Sequence, residues 1–256
     1  MQNILQTIRN VAVSDLGVLV VGEEGTEKEW LARMIHDFSG RSEGAFIHVH
    51  CSLLKYDEME MTLFGSEELL MDGVTIRKGV LEESSHGTLL IENVSDLPTS
   101  LQMKLARVME HRHYHRVGGF EHLQANIRVI TTLNKKPGDM IVNGNFGKEI
   151  YYRVCPVIIN LPPLRERRED IIFLIEKFVK EFSEHHPSHP KGMTAGALRS
   201  CLTYDWPGNV TELKNVITYA LDSCSDKVIR KIDLPEYVQK HIALPTDRIE
   251  TEVTSV

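Results

Sequence analysis

VLVVGEEGTEKEW, residues 18–30, decides the fold. Four apolar residues end on a glycine, a polar turn follows, and a helical pattern begins at Lys28. A phosphate-binding loop reads G-x-x-x-x-G-K-[ST]: its glycines let backbone N–H groups turn inward around phosphates, and its lysine reaches the terminal ones. Gly22 and Lys28 stand at the required spacing with Gly25 between them, but Glu27 takes the second glycine position and Glu29 the hydroxyl position. Strand, loop and helix are expected to persist while the phosphate chemistry is impaired.

Outward from this loop, short apolar runs alternate with helical patterns. The runs are 18–22, 46–50, 88–93, 127–133 and 155–161. This alternation predicts an α/β fold with a five-stranded parallel sheet flanked by helices. Trp30, Leu31, Met34, Ile35 and Phe38 recur at helical spacing, as do Leu101, Leu105, Val108 and Met109, and both stripes are expected in the core. At LPPLRERRED (161–170) two prolines end the last strand and a charged stretch opens a purely helical segment. The expected domains are 1–163 (α/β) and 164–240 (a small all-helical unit), with 241–256 a flexible tail. In the helical unit Ile171, Leu174, Ile175, Phe178 and Phe182 form one apolar face, Leu198, Cys201 and Leu202 a second, and Val210, Leu213, Val216, Ile217 and Leu221 a third. Gly208-Asn209 with Glu212 predicts a capped start for the last of these helices, and 185–192 forms the loop between the first two.

Composition narrows the class. The chain has 256 residues, 42% hydrophobic and 25% charged, with a net charge of −7 and a pI near 6.0. That balance gives no overall attraction to nucleic acid or an anionic membrane. Cys51, Cys155, Cys201 and Cys224 lie far apart without a C-x-x-C pair, which fits a reducing cytoplasm better than a disulfide framework. No apolar run approaches the roughly 20 residues that span a bilayer.

LFGSEE (63–68), 79–111, RVGG (116–119), YYRV (151–154), LPPLRERREDI (161–171) and WPGNVTELKNVI (206–217) stand in this order along residues 1–240. Together they resemble the AAA+ central domain of sigma-54-dependent transcriptional activators, the bacterial enhancer-binding proteins. The resemblance implies an AAA+ P-loop fold with a helical lid, ATP and Mg as cofactors, and a ring that remodels the sigma-54 polymerase. The nucleotide site implied for this chain comprises Gly22, Gly25, Lys28, Glu29, Glu92, Asn134 and Arg153.

Departures from the family pattern gather around one phosphate. The family loop runs G-E-S-G-T-G-K-E, so Glu29 is ordinary and Glu27 is not. A side chain held left-handed there costs about 1–2 kcal/mol, and a carboxylate ~4 Å from a phosphate adds ~1–4 kcal/mol of repulsion, together weakening ATP by roughly two to four decades. The family's Asp-Glu after the third strand is Glu92-Asn93; Glu92 keeps a charge for a metal, whereas Asn93 cannot take a proton. The Thr-Asn sensor is Leu133-Asn134, the relay Asn is His50, the lid arginine is Thr211, and the first interface arginine is Gly147. Only Arg153 of the two interface arginines is kept, as an arginine finger or as a structural contact. A pseudo-ATPase acting through protein contacts is the expected function, and a slow ATPase that still remodels polymerase is the alternative.

The output loop departs too. Where the family carries G-A-F-T-G-A, this chain has LLMDGV (69–74), with Met71-Asp72 for Phe-Thr, which puts a sigma-54 contact in doubt. Leu69, Leu70 and Met71 are expected to pack down. Protein partners in the transcription machinery are expected, without a membrane and without a DNA-binding module, since 241–256 shows neither helical period nor a basic face. A monomer or dimer is expected over a nucleotide-driven ring. His111, His113 and His115, with His48, His50, His185, His186 and His189, are expected as solvated surface, with no specific metal site.

Overall fold

The computed structural model describes residues 2–71, 73–154, 156–185, 192–224 and 226–240. The chain divides into two compact units, residues 1–162 and 163–256. Asp72, Cys155, residues 186–191 and the tail from 241 lie outside the described residues, so the expectations for the 185–192 loop, His186, His189 and the tail have no structural counterpart here.

The first unit opens with helix α1 (Gln2–Ala12), then β1 (Val18–Val21), α2 (Lys28–Asp37) and β2 (Phe46–His50). Short α3 (Met59–Phe64) leads into an antiparallel hairpin of β3 (Ser66–Leu70) and β4 (Gly73–Arg77). After α4 (Val80–Glu83) come β5 (Thr88–Glu92), α5 (Thr99–His111), the small ribbon β6 (His113–Tyr114) with β7 (Leu123–Gln124), β8 (Arg128–Leu133), α6 (Pro137–Val142), α7 (Lys148–Arg153) and β9 (Val157–Asn160).

Strands β2, β5, β8, β1 and β9 form, in that spatial order, the five-stranded all-parallel sheet that the apolar runs predict. Every residue of β1 and β8 is buried. Alternation along β1 serves two cores: Leu19 and Val21 join Leu89, Leu105 and Val129 on one face, while Val18 and Val20 join Leu31, Ile35 and Ile130 on the other. Each such apolar side chain contributes about 1.5–3 kcal/mol of burial. Arg128 is buried within this framework and donates to the carbonyls of Ala12 and Val11 at 3.1 and 2.8 Å, satisfying the C-terminal end of α1.

Two packing expectations need correction. On α2, Leu31 and Ile35 are buried, but Trp30, turned about 100° from Leu31 around the helix, and Phe38, just past its end, are about half exposed. Leu69, Leu70 and Met71 do not pack down either. They stand exposed with Val74 and Ile76 on the β3–β4 hairpin, because this two-stranded ribbon forms a sheet of its own and, among the described residues, no layer covers it.

The hairpin's root is what RVGG builds. Glu67 N–H donates to Val117 O and Val117 N–H to Gly65 O, at 2.9 and 3.0 Å. Buried Arg116 donates to Glu82 at 2.8 Å and to Glu121 at 3.1 Å, with Glu67 3.7 Å away. Gly118 is left-handed at φ 79°, and a Cβ there would lie 2.5 Å from Glu67 O, so only glycine lets the loop close on β3.

The second unit contains α8 (Arg168–His185), α9 (Ala195–Thr203), α10 (Asn209–Ser223) and α11 (Glu236–Gln239). Its core joins Ile171, Ile175 and Phe178 with Cys201, Leu213 and Ile217. Trp206 is fully buried and donates to Cys201 O at 2.7 Å. Asn209, left-handed at φ 51°, accepts from Leu164 N–H at 2.8 Å. Glu212 accepts from the Gly208 N–H at 2.8 Å, so this carboxylate satisfies a free donor at the start of α10.

Candidate functional site

β1 ends at Val21, and the chain turns at once. Gly22 N–H donates to Leu133 O at 3.1 Å; a Cβ on Gly22 would lie 2.7 Å from Thr26 Oγ1. Thr26 Oγ1 donates to Glu23 O at 2.7 Å. Gly25 is left-handed at φ 75°, and Glu27, the residue before α2, is left-handed too at φ 72°, ψ 39°. Glu27 therefore adopts the backbone a glycine would supply, with its side chain exposed. Lys28 is buried, and its Nζ donates to the carbonyls of Gly22 and Glu23, both at 2.9 Å. Burial pushes its ammonium below the ordinary range against the raising influence of Glu92 and Glu24. The arrangement is a phosphate-loop scaffold closed on its own lysine.

Beside it, β2 and β5 pair in register, so His50 stands opposite Glu92. His48 is two residues back on the same face of β2. Its Nε2 lies 2.8 Å from Glu92 Oε2 and its Nδ1 3.2 Å from Glu29 Oε1, while His50 Nε2 is 4.0 Å from Glu92 Oε2. The hydrogen bond from His48 holds the Glu92 carboxyl below its usual range, and the same bond raises the His48 imidazole. Asn93 follows in a left-handed conformation at φ 52°; its N–H donates to Thr132 Oγ1 at 3.0 Å. Asn93 Oδ1 is buried with no hydrogen-bond partner among the described residues.

The structure thus brings Gly22, Gly25, Lys28, Glu29 and Glu92 together and adds His48 and His50. Asn134 follows β8, whose Leu133 pairs with Val21 of β1, so it lies at the same end of the sheet. Leu133 itself is fully buried in the core. Arg153 is engaged in α7, where its guanidinium pairs with Glu110 of α5. Gly147 precedes α7 and donates to Gln102 Oε1 at 2.9 Å. Thr211 sits exposed in the first turn of α10, in the second unit. The partnership of His48 with Glu29 and Glu92 is not visible from the isolated P-loop motif; its sequence trace is His-x-His in a strand.

Of the surface histidines, His113 and His115 both stack near His122, with ring centroids 5.6 and 4.3 Å apart. His113 and His115 meet the backbone carbonyls of His111 and Glu121 through Nδ1.

A five-stranded parallel sheet with a phosphate loop at the end of β1, followed by a helical unit, defines an AAA+ P-loop module. The sigma-54 interaction domain family matches residues 1–160, and the AAA+ ATPase lid domain family matches 165–248; the chain belongs to the sigma-54 interaction domain family. It is similar to the regulatory protein AtoC of Escherichia coli K12, 36% identical over 243 residues, covering 94% of this chain and 53% of AtoC. It is also similar to the sigma54-dependent transcriptional activator SfnR of Pseudomonas putida, 37% identical over 234 residues, covering 91% of this chain and 64% of SfnR. The crystal structure of NtrX from Brucella abortus in complex with ADP superposes with a TM-score of 0.86 at 30% identity, over 96% of this chain and 55% of NtrX. The chain spans about half to two thirds of the length of these relatives. Among the described residues, no helix is long and apolar enough to cross a membrane.

Proposed function

We propose that this chain is a transcription-regulating AAA+ module with a degenerate ATP site, a pseudo-ATPase that works through protein contacts with the transcription machinery. The observation that carries this reading is the pair at the end of β5. Glu92, in the metal-organising position, is already hydrogen-bonded by His48, and Asn93 holds the position from which a carboxylate would polarise water. Without a proton acceptor there, about 10²–10⁴ of the hydrolysis rate is lost. Glu27, Leu133, Gly147 and Thr211 depart from the family pattern at positions that serve the γ-phosphate in a working relative.

The residues left to hold a nucleotide are Gly22, Gly25, Lys28, Glu29, Glu92, Asn134 and Arg153. Lys28 and the loop N–H groups would meet the phosphates, and Glu92 with its charge would hold Mg. Bound ATP would supply the phosphoryl bond whose cleavage drives a working relative. Here Lys28 must leave two carbonyls and Glu92 must leave His48 before either serves, which supports weak binding. Arg153 is tied to Glu110 and Gly147 offers no cation, which supports a monomer or dimer over a nucleotide-driven ring.

The alternative is a slow ATPase that still remodels sigma-54 polymerase. The intact loop scaffold favours it, as does the existence of an ADP complex of NtrX, and Glu27 exposes its side chain instead of filling the loop. Calorimetric titration with Mg–ATP and a phosphate-release assay separate the two. The pseudo-ATPase reading expects no release above background. Magnesium-dependent turnover of about one per second or faster, lost on Lys28→Ala, overturns it.

A further inference from the structure

Three side chains of metal-ligating type, Glu29, His48 and Glu92, converge where the family keeps one carboxylate pair, and His50 stands beside them. Glu29 comes from the first turn of α2, His48 and His50 from one face of β2, and Glu92 from the end of β5. One ligand atom each from Glu29, His48 and Glu92 lie within 4.8 Å of one another. His50 Nε2 stands 4.0 Å from Glu92 Oε2 on the same side.

The distances are those of a site that an ion can draw in. A tetrahedral ion with bonds of about 2.0–2.1 Å separates its ligand atoms by roughly 3.3–3.4 Å. His48 meets the two carboxylates through different nitrogens, Nε2 at 2.8 Å from Glu92 and Nδ1 at 3.2 Å from Glu29, so an ion bound by one of them needs the other carboxylate to turn toward it. One ligand atom each from Glu29, His48 and Glu92 already lies within 4.8 Å of the others, a span that side-chain rotation closes, and His50 Nε2, 4.0 Å from Glu92 Oε2, is the nearest fourth donor. His50 is also oriented for this: its Nδ1 is 2.8 Å from Ser52 Oγ. That bond fixes the ring and leaves Nε2 toward Glu92, the kind of outer partner that ligating histidines keep.

The donor set selects the ion. Magnesium demands near-octahedral oxygen and keeps its waters, so two imidazoles are poor ligands for it. Mixed imidazole and carboxylate donors suit zinc and its first-row neighbours, with affinity rising along the series toward copper. We propose that Glu29, His48, His50 and Glu92 form a binding site for a divalent first-row transition-metal ion of the zinc class. On binding, the ion takes the place of the hydrogen between one His48 nitrogen and its carboxylate, and any proton displaced from that nitrogen passes to solvent. The other carboxylate turns from the second nitrogen to the ion, and one nitrogen of each imidazole ligates. The occupied site ties α2 to β2 and β5 and engages the carboxylate that a magnesium nucleotide would need. The proposal stands apart from the pseudo-ATPase reading, because it is tested without nucleotide.

The test is calorimetric titration of the whole chain with zinc chloride, paired with thermal melts. One equivalent is expected to bind at micromolar concentration or tighter and to raise the melting temperature. His48→Ala and His50→Ala are each expected to weaken binding by at least tenfold, and Glu29→Gln, an exposed change that leaves the strands untouched, by a similar factor. Millimolar magnesium is expected not to compete. Substituting cobalt should give the visible absorption of a low-coordinate ion, lost in the same variants. The histidines of the β6–β7 ribbon are the internal control: replacing His111, His113 and His115 together by Ala should leave the zinc equivalent in place. Absence of binding at 100 micromolar zinc overturns the proposal, using a ceiling well above the ~10⁻⁶ M range expected of a specific site. It is also overturned if the ribbon variant loses the equivalent while Glu29→Gln and His48→Ala keep it.

Discussion

Lys28 Nζ donates to the carbonyl oxygen of Gly22 at 2.9 Å, so the phosphate loop is closed by the side chain that a nucleotide would have to recruit. The residue between that lysine and the rest of the loop, Glu27, sits left-handed at φ 72°. A side chain in this conformation costs about 1–2 kcal/mol, which glycine avoids at an entropic cost of about 0.5–1 kcal/mol. Glu27→Gly should therefore be neutral or stabilising by up to about 1.5 kcal/mol without nucleotide. With millimolar Mg–ATP it should also gain a rise in melting temperature that the unmutated chain, on the pseudo-ATPase reading, is expected to lack. A lower melting temperature for the variant in both conditions would contradict the strain argument.

Catalysis should resist single repairs. On the pseudo-ATPase reading a held γ-phosphate, an oriented water and part of the transition-state cation are all defective, and even about tenfold each, or ~1.4 kcal/mol, puts turnover at least roughly a thousandfold below a working relative. Groups that act as a unit are non-additive. Asn93→Glu alone should stay inactive in phosphate release, whereas adding Glu27→Gly, Gly147→Arg and Thr211→Arg should restore measurable release. Gly147 has room for the change, since an added Cβ meets nothing closer than 3.6 Å.

Buried His36 on α2 should make the chain acid-sensitive. Its Nδ1 lies 2.9 Å from Thr88 Oγ1, and burial holds its imidazole below the ordinary 6.5. The unfolded chain then takes up a proton that the fold resists. Destabilisation starts as pH falls through about 6.5 and stops growing below the lowered folded value. His36→Gln should flatten the fall in melting temperature between pH 7 and pH 5 relative to the unmutated chain; an unchanged slope would place the acid sensitivity elsewhere.

Arg116 should carry the root of the exposed hairpin. It is buried and faces Glu82, Glu121 and Glu67, so truncation takes the cation from Glu121 and Glu67 and leaves Glu82 only Lys78, 3.5 Å away. Arg116→Ala is expected to lower stability in urea by about 2–3 kcal/mol and to speed protease cleavage within 66–77, with Arg116→Lys intermediate. Cleavage rates equal to those of the unmutated chain would show that the backbone bonds of Val117 hold the hairpin alone.

Local chemistry made much of this protein legible. The five strands follow from apolar runs bounded by glycine and proline, because a strand buried on both faces must be apolar at every position, as β1 is. The helical unit follows from period and from Gly208, Asn209 and Glu212, whose capping role needs only neighbours in sequence. Likewise the left-handed Glu27 follows from its motif position. Which side chains meet across strands depended on register, which no single strand contains. His50 opposite Glu92, with His48 reaching Glu92 and Glu29, exists only because β2 lies beside β5 and α2 starts at their ends. Arg153 meeting Glu110 required α7 beside α5. The exposure of Leu69, Leu70 and Met71 was decided by a hairpin that pairs apart from the five-stranded sheet: apolar character is a property of the residue, whereas burial requires a second layer, and among the described residues of this unit the tertiary structure places none there.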